Sequence, residues 1–149
     1  ALINKDNSVT KQLDKERMAG LQDISSYKNF QLSCEKIKIS FLEFLLKAKK
    51  DNKKVVGYGA AAKGSTLLNY SGVKNDLIDY VCDAAGFKQN KYMPGSHIPI
   101  KHPSILEADN PDYIIIFPWN IADEISNLLR IKTEEGSKLV TFIPETKVW

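Results

Sequence analysis

Little in this sequence points to metal, disulfide or membrane chemistry. It holds two cysteines, Cys34 and Cys82, and two histidines, His97 and His102. The cysteines sit in apolar runs without ligand spacing. Both are expected to be free thiols in a buried setting, which suits a reducing compartment. The histidines stand on either side of a proline, a poor arrangement for a shared metal, so a surface role is expected and no metal site. Apolar runs stop short of the ~18 residues that a membrane helix needs, and the opening Ala-Leu-Ile-Asn-Lys has no signal-peptide pattern. A cytoplasmic protein without a membrane partner is expected. Excess charge is scarce too: the net charge is +3, and the lysines are dispersed. That is too little to argue for nucleic acid. No nucleophile–base pair or carboxylate pair stands at catalytic spacing, so the chemistry reads as binding, with no catalytic residue assigned. The first residue is Ala rather than Met, and a piece of a longer polypeptide is expected.

What is present suffices for one domain with a core. The chain has 149 residues, 43 % of them hydrophobic and 26 % charged, an ordinary soluble mixture. Residues 1–24 are polar, and a modest connector helix is expected from Ser8 to Arg17, with Gly20 near its end. From Ser25 to Lys50 the pattern is stronger. Tyr27, Phe30, Cys34, Ile37, Phe41, Phe44 and Ala48 recur three and four apart, and no Pro or Gly interrupts them. This predicts a long amphipathic helix lying across the sheet that follows; a coiled coil is the rival reading, but the charges are not arranged as flanking pairs.

Strands and helices then alternate. Val55-Val56 is a strand, and Ser65 to Tyr70 is a helix that ends at Ser71-Gly72. Leu77–Cys82 is a strand ending at Asp83, and residues 84–96 are irregular. His97-Ile98-Pro99-Ile100 is a short edge piece, and a brief helix opens at Pro103. Asp112-Tyr113-Ile114-Ile115-Ile116-Phe117 reads as a central strand buried on both faces. Asn120 is expected to cap a helix to Leu129, and Lys138–Ile143 is the last strand. The tail to Trp149 is short enough to dock on the surface. The pattern predicts an α/β fold: a three-layer Rossmann-like parallel sheet of about five strands with helices on both faces, spanning 25–149.

The chain is organised around Val55-Val56-Gly57-Tyr58-Gly59-Ala60-Ala61-Ala62-Lys63-Gly64-Ser65-Thr66. A strand, a glycine turn and a helix start point backbone N–H groups and a positive helix end outward, where phosphates settle. Gly57 and Gly59 fit the dinucleotide fingerprint, but Ala62 takes the third glycine position, and the Lys-Ser/Thr pair of a phosphate-binding loop is missing. Right-handed crossovers put this strand beside Asp112–Phe117, so the loops at 58–64, 83–96 and 118–120 meet at one sheet edge. Lys63 in the first helical turn opposes the helix dipole unless an anion is bound; otherwise it is a solvated lysine. Asp83 stands near where dinucleotide-binding domains keep a ribose-binding acid, though Asp also starts turns. Lys88, Gln89, Lys91 and Tyr92 either recognise a ligand or dress the loop. Trp119 beside Asn120 is either a ligand wall or a cover for the sheet edge.

The stretch Gly57-Tyr58-Gly59-Ala60-Ala61-Ala62-Lys63-Gly64, followed by Ser65-Thr66-Leu67-Leu68-Asn69-Tyr70, closely resembles the signature of the C-terminal domain of sugar C-methyltransferases. The resemblance continues through Tyr80–Asp83, Lys88-Gln89, Met93–Ile100, Pro111–Tyr113 and Phe117–Asn120, and covers roughly residues 8–144 in order. The chain departs from the family at Ala61, where Pro is common, and at Ala84-Ala85-Gly86-Phe87 after the strand-end Asp. The resemblance implies a parent enzyme of three parts. One binds zinc, a middle Rossmann-like part binds S-adenosylmethionine, and this chain is the second Rossmann-like part. Its partners would be a nucleotide-linked deoxysugar and its own upstream domains, and the substrate-binding residues would be Tyr58, Gly59, Ala60, Ala61, Lys63, Gly64, Asp83, Lys88, Trp119 and Asn120. The methyl donor and the base would belong to the middle part, so no cofactor is expected here. The alternative is a free-standing nucleotide- or NAD-binding module of a reductase. A third reading is a vestigial Rossmann domain kept for docking.

Overall fold

The computed structural model describes residues 7–149. The start of the expected connector, residues 1–6, lies outside them. The chain divides into two units, Ala1–Lys36 and Ile37–Trp149. The first, as described, holds one helix and the start of a second, which continues into the other unit. Helix α1 (Ser8–Met18) matches its expected range, and a turn at Gly20 leads into α2 (Ile24–Lys50). The Ser26 hydroxyl donates to the Gly20 carbonyl at 2.7 Å and the Tyr27 hydroxyl to that of Leu21 at 2.6 Å. Tyr27 and Phe30, part of the predicted stripe, are exposed. Burial along α2 is confined to Phe41, Leu45 and Ala48.

The second unit is the α/β body. Its sheet has the order β3-β2-β1-β4-β5-β6, the order of dinucleotide-binding sheets. The strands are β1 (Val55–Tyr58), β2 (Val81–Cys82), β3 (Ile100–Lys101), β4 (Tyr113–Ile116), β5 (Lys138–Thr141) and β6 (Lys147–Val148). All neighbours pair parallel except β5 with β6. The predicted neighbours β1 and β4 pair along their whole length, Val55 with Tyr113 through Tyr58 with Ile116. Ile114, Ile115 and Ile116 are each at most 1 % exposed, as two covered faces require.

One apolar layer packs Phe41, Leu45, Leu67, Leu68, Ile115 and Phe117 on the side of α2 and α3 (Ala62–Ser71). The other packs Val56, Tyr58, Tyr80, Leu106, Ile116 and Leu129 on the side of α4 (Ile105–Ala108), α5 (Ala122–Leu128) and α6 (Arg130–Glu134). Asp112 joins the lower ends of β1 and β4. Its carboxylate accepts the Lys54 backbone N–H at 2.8 Å and the Lys53 ammonium at 2.8 Å.

Several elements differ from expectation for identifiable reasons. The strand expected over 77–82 is regular only at Val81–Cys82. Bonding to the Val55 and Gly57 backbone begins only at Asp79 and Tyr80, because residues 74–78 are taken up in a turn. The edge piece expected at 97–100 moves to Ile100–Lys101, since His97 adopts a left-handed φ of 58°. Asn120 caps nothing; it lies in a 3-10 turn over Trp119–Ile121, and the helix expected to Leu129 breaks there into α5 and α6. Leu128, expected on the packed side, is 66 % exposed. The tail supplies a sixth strand, with Trp149 and Leu139 exchanging both backbone bonds.

Candidate functional site

The site begins at the exit of β1. Gly59 turns the chain with φ +86°, and a side chain there would press on the Pro118 ring. Its N–H still bonds the Cys82 carbonyl at 2.7 Å, holding the turn against β2. Helix α3 then starts at Ala62 behind an extended Ala61. Phe117 determines how closely that helix approaches the sheet. A Cβ on Gly57 would come 2.5 Å from its ring, and one on Gly64 would come 2.7 Å from it. The close-packing role of a fingerprint glycine thus falls to Gly64, with Ala62 where the fingerprint has its third glycine.

The amides that open a helix have no intrahelical acceptor. In α3 no side-chain cap takes them up, and neither does any carbonyl among the described residues accept from Ala62, Lys63 or Gly64. The end is therefore electropositive and unsatisfied, with Gly64 itself buried.

Asp83 closes one flank of the turn. One carboxylate oxygen accepts the Ala60 N–H at 2.7 Å and the Lys88 ammonium at 3.0 Å. The other accepts the Ala85 N–H at 2.8 Å, and the Asp83 carbonyl accepts the Gln89 amide at 2.9 Å. The residue is 8 % exposed. Its carboxylate organises the loop, with two donors on one oxygen and one on the other. Cys82, just before it, is a buried thiol; burial pushes it up to about 12.

Lys63, Trp119 and Asn120 form the other flank. The Lys63 ammonium donates to the Asn120 side-chain carbonyl at 2.6 Å and lies 5.1 Å from the centre of a Trp119 ring. This explains why Asn120 is no helix cap. Trp119 is half-buried rather than a bare wall.

The three loops do meet at one sheet edge, but among the described residues the cavity there is lined by two of them. A cavity of about 370 Å³ separates the turn from the 83–96 loop, lined by Ala60, Ala61, Ser65, Phe87, Lys88 and Tyr92 among others. Phe87 is 74 % and Tyr92 64 % exposed. Met93, nearly sealed, and Ile100 contribute to its apolar part. Lys63, Trp119 and Asn120 do not line it. Tyr58 does not either: its side chain belongs to the opposite apolar layer. Phe87, Met93 and Ser65 are the lining residues that the sequence did not single out. The loop itself was marked by Lys88, Gln89, Lys91 and Tyr92 and by the departure at Ala84–Phe87.

A family model described as "C-methyltransferase C-terminal domain" matches residues 3–144. The chain is 34 % identical over 141 residues to the C-methyltransferase NovU of Streptomyces niveus, a match that covers 95 % of this chain and 34 % of NovU. The chain therefore spans about a third of the length of that relative.

Proposed function

Because this chain belongs to the family of C-methyltransferase C-terminal domains, we propose that it is the substrate-side domain of a sugar C-methyltransferase. The parent would transfer a methyl group from S-adenosylmethionine to a carbon of a nucleotide-linked deoxysugar. The observation that carries this is the front cavity, where an unsatisfied helix end, a lysine and two exposed aromatic rings face one space. A nucleotide-linked sugar has the complementary parts. Its diphosphate suits the first amides of α3 and the Lys88 ammonium. Its base or sugar ring suits contact with Phe87 and Tyr92.

A bound phosphate also reverses the electrostatic cost of Lys63 in the first turn of α3. Asn120 and Trp119 hold that ammonium on the flank outside the cavity, so it would act on the anion through space rather than by direct contact. Asp83 acts as a positioning residue, fixing Lys88 and the turn relative to each other. Carbon methylation beside a carbonyl needs an enolate, and cationic groups near its oxygen stabilise it. The base and the methyl donor are assigned to the rest of the enzyme. The Asp83 carboxylate is engaged by the loop rather than turned toward a ribose diol. The same observation counts against the NAD-binding alternative.

The test is a thermal-shift comparison of the chain with a dTDP-hexose, NAD and S-adenosylmethionine, since a ligand of the native state raises the midpoint. The dTDP-hexose is expected to raise it and the other two to leave it unchanged. A response to NAD alone would favour the reductase module, and no response to any would favour a docking domain.

A further inference from the structure

The face of the sheet away from α2 and α3 carries a second cleft. Its cause is local. Helix α4 is a single turn over Ile105–Ala108, and beyond it the cover over β1 resumes only at α5 and α6. The gap has a volume of about 320 Å³ and opens onto Tyr58 between Leu106 and Leu129. Leu128 and Ile131, at its rim, are 66 % and 65 % exposed.

Tyr58 is 7 % exposed, yet its hydroxyl has no hydrogen-bond partner among the described residues. Buried tyrosine hydroxyls usually find one. Among the described residues, the sealed hydroxyls without a partner are those of Ser71 and Ser96, so the Tyr58 hydroxyl is reached from the cleft. Burial raises the Tyr58 pKa above its ordinary value, which keeps the group a neutral phenol that can accept a ligand N–H as well as donate.

The charges on the cleft disfavour an anion. The Lys132 ammonium is held by Glu135 and Asn110, and His102, also on the lining, has its Nδ1 taken up by Ser104, whose N–H it accepts. Glu107 lines the cleft, is exposed, and has no cationic partner among the described residues. This is the reverse of the front cavity, where lysines and free amides gather.

We propose that this back-face cleft is a second binding site. Its ligand would be a one- or two-ring aromatic molecule, neutral or cationic, with a hydrogen-bonding group at its inner edge for the Tyr58 hydroxyl. The volume agrees: an apolar cavity of ~150 Å³ accepts benzene, and this one is about twice as large. Leucine and isoleucine side chains supply flat apolar contact, Tyr58 orients the ring, and Glu107 selects against carboxylates and phosphates. The site does not depend on the function proposed above.

The test is a backbone-amide NMR titration of the full chain with indole, benzamidine and benzoate at millimolar concentrations. Indole and benzamidine are expected to move the resonances of Tyr58, Leu106, Leu129 and Ile131, and benzoate to leave them in place. Tyr58→Phe should weaken indole binding by about fivefold, the worth of one hydrogen bond. Glu107→Lys, an exposed change that leaves the fold intact, should turn the preference toward benzoate. The proposal fails if none of the probes binds or if benzoate binds as well as benzamidine. It also fails if the shifts map to Ser65, Lys88 and Tyr92, or if both variants bind as the parent does.

Discussion

The Asp83 carboxylate accepts the backbone N–H of Ala60 at 2.7 Å. That bond ties the end of β2 to the glycine turn after β1. The same oxygen holds Lys88 and its neighbour holds Ala85. Asp83→Ala strips acceptors from two amides and an ammonium at a site that is 8 % exposed. A loss of about 2–4 kcal/mol in unfolding free energy is expected, with Asp83→Asn costing about half as much because it keeps one acceptor oxygen. Urea denaturation of the two variants measures it. Equal costs for both would show that the charge, not the hydrogen bonds, matters.

Gly64 packs against the Phe117 ring with no room for a Cβ. Gly64→Ala should destabilise by about 1–3 kcal/mol through overpacking. The double variant Gly64→Ala with Phe117→Ala, which removes the ring that the new methyl meets, should lose less than the sum of the two single changes. Thermal melts of the variants decide it: no coupling between the two positions would contradict the contact.

Stability is expected to fall in acid. The hydrogen bond from Lys53, with that of the Lys54 amide, lowers the Asp112 pKa. For Asp109 burial works the other way, but hydrogen bonds from Lys54 and Tyr80 outweigh it, so its pKa is lowered too. A carboxylate depressed in the folded state contributes stability that is present above its unfolded pKa of about 3.9 and lost as pH falls through the folded value. Melting midpoints should therefore be flat near neutrality and drop below about pH 4. Asp112→Asn should make that drop shallower. An unchanged drop would place the linkage elsewhere.

The two cysteines should differ in reactivity. Cys82 is buried, and burial pushes its thiol up to about 12, so almost no thiolate exists near neutral pH. Cys34 is partly exposed on α2. Titration with a disulfide reagent should count one thiol in the native protein and two in denaturant. Rapid reaction of both without denaturant would mean that the sheet opens around β2.

Much of the body was legible because its signals are local and periodic. Four apolar β-formers from Ile114 to Phe117 specify a strand covered on both faces, and Gly59 and Gly72 mark a turn and a helix end by their left-handed backbone. What was not legible depended on tertiary partners. Asn120 has the residue type of a helix cap, but Lys63, distant in sequence, takes its side chain. Tyr58 sits next to the turn in sequence, yet the two-residue alternation of a strand sends it to the opposite layer. Phe87 joins the cavity wall from an irregular loop with no periodicity to read, whereas Tyr92 was among the loop residues offered as ligand contacts. The tail strand is two residues long and becomes visible only through its pairing with β5.

The central claim is that the α3 end and Lys88 hold the phosphates of a nucleotide-linked substrate, and calorimetric titration of the chain with dTDP and with thymidine tests it most directly. dTDP should bind, thymidine should bind at least about tenfold more weakly, and Lys88→Gln should lose about tenfold for dTDP alone. Equal affinity for dTDP and thymidine, or a Lys88→Gln variant that binds dTDP as the parent does, would contradict it.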